Sequence, residues 1–64
     1  MNEAELLDII ERCVKLGYRT DVERFDFNAY KVGTIQHNGE VIVVLRNDVK
    51  DQTFVVFHKT VFIC

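Results

Sequence analysis

The side chains with chemical reach in this 64-residue chain are two histidines, His37 and His58, two cysteines, Cys13 and Cys64, and an acidic group at Asp21, Glu23 and Asp26. Structural zinc sites carry their Cys and His ligands in closely spaced pairs. No two of these four residues have such spacing, so no metal is expected. Asp21, Glu23 and Asp26 lack the Gly-centred alternation of an EF-hand loop and read as a solvated loop. The chain contains no Ser, which removes a Ser/His/Asp nucleophile. It has neither a P-loop nor a Gly-rich dinucleotide fingerprint, so no cofactor is expected. Two cysteines do not make a disulfide framework. Cys13 reads as a small buried hydrophobe. Cys64 reads as an exposed chain end, free to form an adventitious intermolecular bond and outside any prenylation box.

The elements that must position these groups centre on Tyr30 to Phe57, which reads as a three-stranded antiparallel meander. Asn38-Gly39 between apolar runs tolerates the positive φ that a type I′ hairpin turn requires. That turn sets Gln36 against Val41, Ile35 against Ile42, Thr34 against Val43, Gly33 against Val44 and Val32 against Leu45. Pairing Arg46 with Thr53 in the second hairpin sets Leu45 against Phe54, Val43 against Val56 and Glu40 against Lys59. His37 and His58 then share one end of the sheet, on the outer strands, with backbones roughly 10 Å apart. Gly33 inside a strand points to a bulge or a close backbone approach.

Glu3 to Leu16 reads as a helix capped by Asn2, with Glu5 reaching back as in a capping box. Leu6, Ile9, Ile10, Cys13, Val14 and Leu16 share one side, with Leu7 at its margin. Gly17 is placed to end the helix in the left-handed conformation, with Tyr18 packing back. Residues 24–29 read as an extra short strand, or as a helical turn around Asp26 to Lys31. Thr60 to Cys64 continues the last strand or forms an apolar tail. The fold class is α+β, one domain over residues 1–64, with the helix on one face of an αβββ meander.

The opening Glu5-Leu6-Leu7 and Leu16-Gly17-Tyr18 resemble the first helix of HicA-type mRNA interferase toxins, small αβββα proteins. That family's catalytic His lies in a Gly-Ser-His-His stretch on the first strand. Here Tyr30 to Gln36 holds no His and no Ser, so the resemblance implies no catalytic residue in this chain.

Alternation gives the meander two apolar faces. One carries Val32, Val41, Val43, Leu45, Phe54 and Val56, and the helix is expected to cover it. The other carries Ile35, Ile42, Val44, Val55 and Phe57, rimmed by Lys31, Arg46, Glu40 and Lys59. An uncovered face of this kind has the layout of a protein interface. The expected function is therefore a small non-enzymatic protein-binding module, an inhibitor or adaptor of the kind phages encode. Its docking residues are Ile35, Ile42, Val44, Val55 and Phe57, with Lys31, Arg46 and Lys59 at the rim and Phe62 as a second anchor. Partners are a second copy, most simply in a twofold dimer, or a larger protein. The alternative is a toxin-like ribonuclease or a single-stranded nucleic-acid binder. The formal charge of −2 and pI near 5.5 argue against nucleic acid. No apolar run approaches the ~20 residues that cross a bilayer. The acidic start is unlike a signal or transit peptide. The chain reads as a whole short frame in the cytoplasm.

Overall fold

The computed structural model describes residues 2–25 and 28–64. Helix α1, Glu3–Leu16, begins where sequence places it: the Asn2 side-chain oxygen accepts from the Glu5 amide at 2.9 Å. Its far end differs from expectation. Gly17 is extended at φ −79, not left-handed, and its amide donates to the Cys13 carbonyl at 2.8 Å. Glycine is required there for closeness, since a Cβ would sit 2.4 Å from the Ile63 carbonyl oxygen. Tyr18 does not pack back but starts a strand, and Leu16 is 78 % exposed.

The sheet has five strands, so the three-stranded meander is an understatement. They are β1 (Tyr18–Asp21), β2 (Tyr30–His37), β3 (Glu40–Asn47), β4 (Gln52–Phe57) and β5 (Thr60–Ile63), all antiparallel, in the order β1-β5-β4-β3-β2. Asn38 and Gly39 turn at positive φ and set the β2–β3 register from Gly33↔Val44 to His37↔Glu40, as the Asn-Gly tip requires. A bulge between Lys31 and Gly33 shifts Val32 from its expected place opposite Leu45. The second hairpin pairs Arg46 with Thr53, Leu45 with Phe54 and Val43 with Val56, as expected. Its turn is held by Arg46, which bonds Asp48 at 3.2 Å, Thr53 Oγ1 at 2.9 Å and Asp51. The chain then reverses at His58, whose φ is +55, and returns as β5 instead of continuing β4. Glu40 consequently meets His58, not Lys59.

Between β1 and β2 the chain passes from one edge of the sheet to the other. Val22–Arg24 is a single 3-10 turn, and the short strand expected over 24–29 falls partly on residues 26 and 27, outside the described residues. The alternative helical turn falls partly on Asp26 and Phe27, which lie outside the described residues, and Tyr30 and Lys31 are strand. Phe25 meets Phe54 edge to face at 4.7 Å and buries with Val61 against Val22, Ala29, Leu45 and Val56. The crossing segment thus covers the face on which the helix was expected.

Helix α1 takes the opposite face. Leu6, Ile10 and Cys13 bury with Ile35, Ile42, Val44, Val55 and Phe62. The assignment of the helix to the Val32/Val43/Val56 face is corrected, and Gly33 supplies the reason. It shares the Ile35 face by alternation, and a Cβ there would come within 2.8 Å of the Leu6 side chain. The helix needs that close approach.

Cys13 and Cys64 form an intramolecular disulfide with Cα atoms 5.2 Å apart, which corrects the reading of Cys64 as a free end. The bond closes a loop with a sequence separation of 51. Chain-entropy accounting gives such a bond about 3–5 kcal/mol, comparable with the ~3–5 kcal/mol that a core of this size supplies.

The two glycines are expected to differ on substitution. At Gly17 the obstruction is backbone on both sides, so Gly17→Ala should cost about 1–3 kcal/mol by overpacking. At Gly33 it is the end of the Leu6 side chain, which shifts more readily than backbone, so Gly33→Ala should cost less. Urea unfolding of the two variants checks the order.

Candidate functional site

The helix leaves one apolar region of its sheet face open. A groove of about 560 Å3 lies between α1 and the β2–β3 hairpin, bordering the core. Its helix wall is Ile10, Glu11, Val14 and Lys15, four residues at i, i+1, i+4 and i+5, so two adjacent turns face inward. Its sheet wall is His37, Asn38, Glu40, Ile42 and Phe57. Aliphatic and aromatic carbon forms the floor, and the charged groups and the imidazole form the rim. That distribution is common to small binding sites, where apolar contact holds a guest and a few polar groups orient it.

The rim carries one close side-chain contact. His58 Nε2 lies 2.7 Å from Glu40 Oε1, across from His37, which pairs with Glu40 in the hairpin register. Glu40 therefore stands next to both histidines, at the end of the sheet where the sequence places them. His58 occupies a left-handed backbone position that few residues adopt, although His does so more readily than most. Among the described residues, no group of three His, Cys, Asp or Glu side chains is arranged to hold a metal ion.

The residues expected at the interface are divided by the structure. Ile35, Val44 and Val55 are buried under α1 at 5 %, 0 % and 0 % exposure, so the face they share is not open. Ile42 is buried with them at 5 %, and it borders the groove together with half-buried Phe57. Phe62, expected as a tail anchor, is a core residue: it stacks on Phe57 at 4.9 Å and carries the Arg19 guanidinium 5.2 Å above its ring. Arg46 is engaged in the β3–β4 turn, whereas Lys31 and Lys59 are exposed away from the groove lining. The three bases do not form a common rim. A twofold dimer through the Ile35/Ile42/Val44/Val55/Phe57 face would require α1 to leave it.

Sequence reasoning missed Ile10, Glu11, Val14 and Lys15, because it placed the helix on the other face. The signal was in β2, where Thr34 and Gln36 make the Val43 side partly polar. Val41 on that side is 54 % exposed.

Comparison with protein-family models, with curated proteins and with solved structures finds no match to this chain. Among the described residues no helix is long and apolar enough to cross a membrane.

The His58–Glu40 pair is solvent-accessible, and exposed pairs contribute about 0–1 kcal/mol. Glu40→Gln is therefore expected to lower stability by less than about 1 kcal/mol, and His37→Ala to leave it unchanged. Thermal unfolding of both variants checks that the rim is dispensable for folding.

Proposed function

We propose that this protein is a small, non-enzymatic protein-binding module that receives an apolar side chain of a larger partner in the groove between α1 and the β2–β3 hairpin. The observation that carries the reading is a groove with apolar lining, in which half-buried Val14 and Phe57 present carbon surface above the core residues Ile10 and Ile42. Phe57 remains the anchor. Aromatic residues at the desolvated centre of an interface hold disproportionate binding energy, often ≥2 kcal/mol by truncation. Glu11, Lys15, His37 and Glu40 orient the partner and tune its approach, because rim charges act more on association rate than on affinity. The role is that of an inhibitor or adaptor.

A ribonuclease-like reading draws on one arrangement, the placement of Glu40 beside both His37 and His58 at the mouth of the groove. It separates cheaply from the first. A ribonuclease should arrest growth on expression and lose that effect on His37→Ala, whereas a binding module keeps its partner with modest change.

Peptides selected against the folded protein from a display library provide the direct test. Their binding is expected to shift the amide resonances of Val14, His37 and Ile42. Val14→Lys, shown to be folded by circular dichroism, should weaken binding at least tenfold, and Val41→Lys on the other face should not. Resonance shifts centred on Val41 and Val43 would contradict the groove.

A further inference from the structure

Cys13 and Cys64 sit in opposite surroundings. Cys13 is fully buried on the inner side of α1, at 0 % exposure. Cys64 is an exposed residue just beyond β5. Neither depends on the bond between them for its position. Cys64 exchanges both backbone hydrogen bonds with Thr53, each at 3.0 Å. Cys13 lies on the helix side that buries Leu6 and Ile10. The Cys13 sulfur is 3.6 Å from the Thr53 carbonyl oxygen and 3.7 Å from that of Phe62. A thiol at that place donates to one of them without moving, so reduction strands no polar group in the core.

We infer that the pair is a reversible clasp, which sets how stable the fold is without changing what the fold is. Exchange is directed by access, one of the determinants of thiol–disulfide reactivity. The thiolate of an external dithiol attacks the sulfur of Cys64, the exposed residue of the pair, the S–S bond breaks, and Cys13 departs as a thiolate and is protonated. The second thiolate of the dithiol then attacks its own sulfur in the mixed disulfide and releases Cys64, which is protonated in turn. Two electrons and two protons pass to the protein, and the dithiol becomes a disulfide. A disulfide oxidant of the glutathione class runs the sequence backward. Loss of a cross-link with a sequence separation of 51 returns conformational freedom to the unfolded chain. The unfolding equilibrium constant should then rise on the order of a thousandfold. A chain this small has little other reserve, so a reducing compartment holds it near the limit of folding and an oxidising one well above it.

The test is urea unfolding followed by circular dichroism, with and without dithiothreitol, on the wild type and on Cys64→Ser. The native spectrum should be the same in all four samples. The wild-type midpoint should fall with reductant by an amount equivalent to roughly that thousandfold change. Cys64→Ser should match the reduced wild type under both conditions. Glutathione trapping with mass mapping should place the adduct on Cys64. An unchanged midpoint, loss of the native spectrum on reduction, or an adduct on Cys13 would each overturn the clasp.

Discussion

The fold depends on β5 lying between β1 and β4. Its residues cannot sit at an edge or in a tail, because the strand is apolar on both sides. Val61 is buried on the face covered by the crossing segment, and Phe62 on the face covered by α1. Each such side chain contributes ~1.5–3 kcal/mol when buried. A strand with both faces buried also needs partners for its backbone groups on both edges. Thr20 and Val56 flank Val61 in the ladder, and Arg19 and Val55 flank Phe62. β1 is short and polar, with Thr20 its one half-buried residue, and it owes its strand conformation to this pairing more than to its own pattern.

From that placement the rest follows in order. With β1 and β2 at opposite edges, the chain between them must cross the sheet, and Val22, Phe25 and Ala29 pack on the face that α1 does not occupy. Phe25 is carried to the middle of that face and meets Phe54 there. The end of α1 rests directly on the backbone of Ile63, through Gly17, and Cys13 reaches Cys64 one residue further on. The helix is thereby anchored at the β5 side and at Gly33 in β2. The groove lies between the Ile10–Lys15 part of the helix and the β2–β3 hairpin.

The sequence was legible wherever local chemistry decides the structure. The Asn38-Gly39 turn fixed one register, the Arg46↔Thr53 pairing fixed another, and Asn2 capped the helix. It was not legible where distant segments decide. Tyr18–Asp21 becomes a strand only because β5 offers it an edge, and nothing in Arg19-Thr20-Asp21 announces that. The reversal at His58 was hidden because His is an uncommon turn residue beside Gly or Asn. The helix face was misjudged although Gly33 marked it. A glycine required for close approach identifies its face as the one that receives another element. Once the face is set, Ile35, Ile42, Val44 and Val55 become core, and half-buried Phe57 remains as the expected interface residue that meets the groove.

Amide hydrogen exchange followed by NMR tests the placement of β5 most directly. Central strands exchange through the most global openings, whereas frayed termini exchange freely. The amides of Val61 and Phe62 should exchange as slowly as those of Val44 and Val55, despite lying within a few residues of Cys64. Rapid exchange at Val61 and Phe62 beside a protected β3 and β4 would mean that the last residues are a tail, and the account of β1, the crossing segment and the helix anchor would fail with it.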